Sequence, residues 1–137
     1  MSKYNLQVED SIKNIGEEEY RRIWQGDPFK NLFTSWEYLS ILEESNCIGQ
    51  ETGWTINFFT LQKNGQIKTV APCFLKFHSY GEYVFDWAWA EAFHRSGVQY
   101  YPKLLFASPF TPISGARLLG LNNSTEIDVF RCGIERW

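Results

Sequence analysis

The sequence predicts an α+β (mixed α/β) domain in which helices flank a largely antiparallel sheet. Three observations carry that prediction. Two strand-like runs, WTINFFTLQK and QIKTVAPCFLKF, meet across Asn64-Gly65, a pair suited to a tight two-residue hairpin turn. Two runs of helical period, at residues 17–24 and 34–44, precede the hairpin. A third helical run and further short strand-like pieces follow it, and there are no internal repeats.

Taken in order, residues 4–12 alternate weakly and predict a short first strand with Leu6 and Val8 on one face. Gly16 then precedes EEEYRRIW, where Tyr20, Ile23 and Trp24 share one helical face. Three glutamates open that helix and arginines follow, in agreement with the helix dipole, and Gly26-Asp27-Pro28 ends it. Thr34 and Glu37 form a T-x-x-E capping box for a second helix running to about Glu44, with Leu39 and Leu42 on one face and Tyr38 alongside. In the hairpin, Trp54, Ile56 and Phe58 point one way and Thr55, Asn57 and Phe59 the other, so one face is core and the other is partly covered. Pro72 cannot donate to a ladder, which predicts a bulge or an edge at that point.

The chain then turns at Ser79-Tyr80-Gly81, and EYVFD predicts a further short strand. Asp86 is placed to cap a helix from Trp87 to about Arg95, closed by Gly97, with Trp89 and Phe93 facing the sheet. Pro102 to Phe106 predicts another strand, and Pro109 and Pro112 force an extended path through SPFTPIS. Residues 120–137 are polar at first and turn-rich, with no sustained period, and stand as a divergent tail after residues 1–119.

Composition narrows the function classes. The chain has 137 residues, enough for a single domain with a true core. Its formal net charge of −3, with no long basic run, disfavours a DNA partner, whose binding rests on phosphate neutralisation. Three cysteines far apart, with no CxxC pair, suggest neither a disulfide framework nor structural zinc. His78 and His94 stand apart with no cysteine near either, so no metal-ligand set is read. The N-terminus is too polar for a signal peptide, and no apolar run approaches the ~20 residues of a membrane span, so a reducing cytoplasm is the expected compartment.

Aromatic residues make up 18% of the chain, and they crowd the stretch from His78 to Arg117 around a few charges. Each ring can bury about 150–250 Å², so this stretch is either packed core or the wall of a binding cleft. No nucleophile elbow, zinc-protease helix, dinucleotide loop or Walker loop is present. Glu82 and Asp86, four apart along a strand, would share a face, and either could take a proton from an amine nucleophile. The plainer alternative makes Asp86 a helix cap and Glu82 a salt-bridged strand residue. Lys103 is placed to hold a phosphate or carboxylate, or to snorkel at a sheet edge. Tyr80, Tyr83, Tyr100 and Tyr101 suit stacking on a sugar or peptide, or serve as amphipathic core. Arg117 could pair with an anionic substrate, or be surface charge.

The run PCFLKFHSYGEYVFDWAWAEAFHRSGVQYYPKLLFASPFTPISGARLL resembles the signature block of a bacterial family of predicted N-acyltransferases associated with peptidoglycan biosynthesis or recognition. LEESNCIGQETGW resembles the segment that precedes the hairpin in that family, so the likeness spans roughly residues 28–119. The family is similar to the Fem-type aminoacyltransferases and belongs with the GNAT acyltransferase fold. The resemblance implies a central mixed sheet with flanking helices, and transfer of an acyl or aminoacyl group to an amine acceptor of peptidoglycan type. It implies an acyl-CoA or aminoacyl-tRNA donor, with no cofactor assigned to this chain itself. It also marks Tyr80, Glu82, Tyr83, Asp86, Trp87, Tyr101, Lys103 and Arg117 as motif positions without assigning their roles; by residue chemistry Glu82 and Asp86 are the catalytic candidates and the others the substrate-binding candidates.

Members of that family are much longer, and their C-terminal half resembles the GNAT region in which a loop feeding a helix N-terminus cradles a donor pyrophosphate. Nothing after Leu119 has that glycine-rich loop-then-helix pattern. The resemblance thus implies the N-terminal part of such an enzyme, in a truncated and inactive form. The alternative from another class is a stand-alone glycan- or peptide-binding module that uses the aromatic cluster.

Overall fold

In the computed structural model, which describes residues 3–137, the Asn64-Gly65 pair follows its backbone preference. Asn64 and Gly65 both take positive φ, 53° and 80°, the condition for the mirror-image turn whose twist matches paired strands. They join β3 (Phe58–Lys63) to β4 (Gln66–Ala71), and β1 (Tyr4–Glu9) adds antiparallel to the other edge of β3. The first sheet therefore has the order β1-β3-β4.

Each run of the predicted hairpin is broken once. Pro72 ends β4, and the chain resumes as β5 (Cys73–Lys76); opposite it, β2 (Thr55–Ile56) stops one residue short of β3. The two breaks face each other, joined by the Asn57 N–H donating to the Cys73 carbonyl at 2.9 Å. With β6 (Lys103–Phe106) these short pieces form a second antiparallel sheet, β2-β5-β6. The class is α+β, as expected. Among the described residues, the central mixed sheet implied by the resemblance is instead two three-stranded sheets, and every strand pairing is antiparallel.

Alternation along β3 divides the core. Phe58 enters a cluster with Tyr20, Ile23, Leu39, Trp54, Val70 and Phe74, under α1 (Glu17–Gly26) and α2 (Trp36–Glu44). Phe59 and Leu61 point to the opposite side and meet Ala71, Cys73 and Phe130. Both faces of this strand are thus sealed, where the alternation alone suggested one core face and one partly covered face. The cover is α4 (Ser124–Arg136), which lies across β1. At Gly133 a Cβ would fall 2.4 Å from the tip of the Leu6 side chain, so the glycine leaves room for Leu6 under the helix.

Residues 124–136, read from sequence as periodless, are therefore a capped helix. The Asn123 side chain accepts from the Glu126 N–H at 2.9 Å, and Phe130 is buried. The segment leading to it is tied down as well: Leu119 bridges Val70, and the Gly120 N–H donates to the buried Asp27 carboxylate at 3.0 Å.

Three further expectations are corrected. The cap of α2 is Ser35 rather than Thr34; Ser35 accepts from the Tyr38 N–H at 3.2 Å, while the Thr34 hydroxyl accepts from the Trp24 indole at 3.2 Å inside a 3₁₀ turn. Residues 82–86 form no strand, because Gly81, at φ 80°, turns the chain and the polar groups that follow pair with side chains instead of a ladder. Trp89 and Phe93 do not face the sheet. They project from α3 (Trp87–Arg95), a helix that buries none of its residues: Trp89 is 67% exposed and Phe93 rests against Tyr100. Their spacing puts them on one face of a helix, but it does not decide what that face meets.

Candidate functional site

Strand alternation puts Lys76 on the same side of β5 as Phe74, which packs edge-on against Trp54 and Phe58. The lysine is fully buried, and a buried ammonium requires partners. Its Nζ donates to the Tyr80 carbonyl at 2.6 Å, lies 3.2 Å from Glu82 Oε2, and sits 3.8 Å from the centroid of the Trp54 ring. Burial pulls its pKa down, and the Glu82 carboxylate opposes that shift.

The next strand supplies a second cation. Lys103, at the start of β6, donates to Glu82 Oε1 at 2.7 Å and to Asp86 Oδ2. Asp86 also accepts from Tyr100 at 2.7 Å and Tyr101 at 2.9 Å. Burial alone would raise the Asp86 pKa, but the bonds from Lys103, Tyr100 and Tyr101 outweigh it and hold the carboxyl at about 2. The same bonds keep Lys103 protonated: burial works against its charge, and hydrogen bonds to Asp86 and Glu82 raise its pKa overall. The Asp86 bond pushes the Tyr100 phenol up; for Tyr101 burial is the larger cause and Asp86 the next. Lys76, Glu82, Lys103 and Asp86 thus alternate in sign along one chain of contacts and sum to zero formal charge.

Glu82 also forms the polar floor of a cleft of about 200 Å³ walled by Trp54, Tyr83, Val84, Leu105 and Phe110. The floor includes Ser108, which is 2% exposed and whose Oγ has no hydrogen-bond partner. Gly81 fits the chain against the indole: a Cβ there would lie 2.6 Å from Trp54 Nε1 and 3.0 Å from the Phe110 ring.

The sequence candidates separate into three groups. Glu82, Asp86, Tyr101 and Lys103 converge, with Tyr100, on one network, but through a folded loop rather than strand alternation. Asp86 occupies the N-cap position of α3 without making a side-chain cap bond, because both its oxygens are already engaged. Tyr83 lines the cleft; Tyr80 contributes its carbonyl to Lys76 and rests an exposed ring on His78; Trp87 stacks, half exposed, on Phe85 at 4.8 Å. Arg117 lies elsewhere, beside Phe106, Leu118 and Phe130, and its guanidinium donates to the backbone carbonyls of Ile113 and Gly115. Lys76, Trp54 and Ser108 were missed. Lys76 was detectable as a lone charge in an apolar strand, in phase with Phe74; a serine after an alanine carries no such signal.

A family model, FemAB-like, described as peptidoglycan biosynthesis/recognition, matches residues 11–134. The match extends past the region of sequence resemblance at both ends and runs through most of α4. No curated protein and no solved structure matches the chain. No helix among the described residues is long and apolar enough to cross a membrane. With the match covering nearly the whole of it, the chain belongs to the FemAB-like family of peptidoglycan biosynthesis/recognition proteins.

Proposed function

We propose that this chain forms the acceptor side of an N-acyltransferase that acylates an amine of a peptidoglycan precursor. The observation that carries this reading is Glu82, a nearly buried carboxylate at the floor of an aromatic-walled cleft. In the reaction, the amine nitrogen attacks the carbonyl carbon of an activated acyl group, acyl-CoA or aminoacyl-tRNA. A C–N bond forms and the C–S or C–O bond breaks, the leaving group departing with the electron pair. The nitrogen loses a proton, which Glu82 accepts and passes to the leaving group. Asp86 is the positioning partner: saturated by Lys103, Tyr100 and Tyr101, it holds the lysine against Glu82. Tyr83 lines the acceptor cleft, and Tyr80 and Trp87 expose their rings to solvent on the same stretch of chain. Arg117 has no role in this cleft. Free thiols at Cys47, Cys73 and Cys132 fit a reducing, cytoplasmic setting.

The test is mass spectrometry of a stem-peptide amine incubated with the protein and either donor. Acylation that disappears in a Glu82→Gln variant that still unfolds cooperatively is the expected result; no acylated product with either donor sinks the reading.

One observation favours a second reading, recognition of a glycan or peptide without chemistry. The rings of α3 and its approach are solvent-exposed, with Trp87 stacked on Phe85 and Trp89 exposed elsewhere on the helix. Saturable quenching of tryptophan fluorescence by muropeptides, abolished by Trp87→Ala, is its expected signature, and a flat titration removes it.

A further inference from the structure

Among the described residues, Asn46, Glu51, Asn64 and Phe110 take positive φ without being glycine. Asparagine is at home in that region; Phe110, at φ 62°, is a bulky side chain where Cβ contacts disfavour one. A glycine would adopt this conformation without the penalty, so the phenylalanine has to be accounted for by its ring. The backbone on either side is held from several directions. Pro109 restricts the buried Ser108, Pro112 restricts Thr111, and the Tyr38 hydroxyl donates to the Pro109 carbonyl at 2.7 Å. Strain of this kind persists only where the surroundings impose it, and it gathers at ligand clamps.

The ring so held is packed in part and open in part. Its centroid lies 5.0 Å from that of Trp54, and a Cβ on Gly81 would fall 3.0 Å from it. Phe110 nevertheless stays 44% exposed, and it lines the cleft together with Glu82, Tyr83, Val84, Leu105 and Thr111. Trp54, against which it rests, is buried and has almost no surface to offer a ligand. Tyr83 and Val84 are open to solvent but stand on a loop that forms no strand. Phe110 is therefore the wall of the cleft that is both apolar and fixed. The volume of about 200 Å³ suits a small group, since a cavity of about 150 Å³ already holds a benzene ring.

We propose that Phe110 is a specificity-determining residue, a fixed apolar wall that selects acceptors carrying an aliphatic group of a few carbons beside the reacting nitrogen. This rests on the acceptor-side reading above and names the part of the acceptor that the cleft takes. The aliphatic group packs on the open part of the Phe110 ring, with Val84 and Leu105 lining the same space, and the polar end of the acceptor is left to Glu82 and Thr111. Phe110 contributes contact area and takes no part in proton transfer.

The experiment titrates the N-acetyl amides of glycine, alanine, valine and leucine into the whole protein while the Trp54 indole N–H resonance is followed by NMR. These probes are neutral and carry no free amine, so acyl transfer does not enter the measurement. In the wild-type protein affinity is expected to rise about threefold for each carbon added, as partial burial of a methylene gives. Phe110→Gly, which removes the ring and relieves the backbone, should fold and lose that slope, whereas Phe110→Leu, which keeps an apolar wall, should retain most of it. A flat series in the wild-type protein overturns the proposal, as does an undiminished slope in a folded Phe110→Gly. Should Phe110→Gly fail to fold, nuclear Overhauser contacts between the probe's leucine methyls and the Phe110 ring decide in the wild-type protein: their presence supports the wall and their absence overturns it. The two readings fail separately: a flat series with observed acylation of the stem-peptide amine defeats the selectivity and keeps the enzyme. Graded binding that is lost in Phe110→Gly, without acylation, does the reverse. No shift with any probe removes the cleft as a ligand site and the proposal with it.

Discussion

Two aromatic regions of this molecule have similar compositions and opposite fates. Around β3 and β5, Tyr20, Trp54, Phe58, Phe59 and Phe74 are buried; Phe74 meets Trp54 and Phe58 edge-on at 5.2 and 5.5 Å, and Phe59 stacks on Phe106 at 6.0 Å. From Phe77 to Phe93, a run just as rich in rings leaves Phe77, Tyr80, Tyr83, Phe85, Trp87 and Trp89 each at least half exposed. The difference lies in what each backbone is attached to. Rings on paired strands are fixed by a ladder and projected into a space closed by α1, α2 or α4. The loop before α3 is organised by charges: Glu82 and Asp86 turn inward to satisfy Lys76 and Lys103, and the rings between and beyond them turn out. A buried polar network and a buried apolar stripe cannot both occupy the inner side of one short loop. Burial of the carboxylates here decided the exposure of the aromatics.

The largest effect that would break this comparison is a pair of truncations. Phe58→Ala should cost about 3–5 kcal/mol, as removal of a fully buried phenylalanine does, with Trp89→Ala within about 0.5 kcal/mol of the wild-type protein. Urea unfolding measures both. A Trp89→Ala cost approaching that of Phe58→Ala would mean that α3 is packed after all.

A smaller effect sharpens the electrostatic half. The Asp86 carboxyl is held at about 2, against an ordinary value of 3.8. A depressed carboxyl contributes stability that is present above its unfolded pKa and lost as pH falls toward the folded one. Asp86→Asn should therefore be less stable than wild type at neutral pH, by on the order of 1–2 kcal/mol after allowing for partial solvation. The gap should close between about pH 4 and pH 2. Urea midpoints across that range test it, and a gap that persists unchanged at pH 2 would show that the carboxylate charge is not what organises the loop.

The smallest effect concerns the second core. Asn123→Ala removes the side-chain cap of α4 and should cost about 1 kcal/mol. Loss of hydrogen-exchange protection confined to α4 and β1, with the Phe58 side unaffected, would mark the two cores as separable. Equal loss on both sides would mark them as one cooperative unit.

Much of the first region was legible in the sequence because its signals are local. Asn64-Gly65 fixes a turn by its own backbone preference, and Gly26-Asp27-Pro28 stops a helix within three residues. The helix over Glu17–Gly26 and the strand over Lys103–Phe106 fell where period and punctuation put them. The site was partly legible as well: Glu82, Asp86, Tyr101 and Lys103 could be singled out as polar groups embedded among rings. Their arrangement could not be foreseen, because the strand periodicity that appeared to align Glu82 with Asp86 belongs to a loop. Arg117 carried the same residue-type signal and lies elsewhere, since residue type does not encode the partner. α4 escaped notice because Phe130, Val129 and Ile134 make only a weak stripe, and the surface that rewards it is the far side of β3.

By itself, then, the sequence determined the α+β class, the hairpin and its turn, the first two helices and the membership of a family signature, all from interactions between residues close along the chain. Tertiary structure alone decided that the hairpin would divide at Asn57 and Pro72 into two sheets, that α4 would seal the second core, and that Lys76 would lie between Trp54 and Glu82. Those outcomes depend on groups far apart in sequence meeting in a desolvated space. There the cost of an unpaired charge or an uncovered ring outweighs local preference.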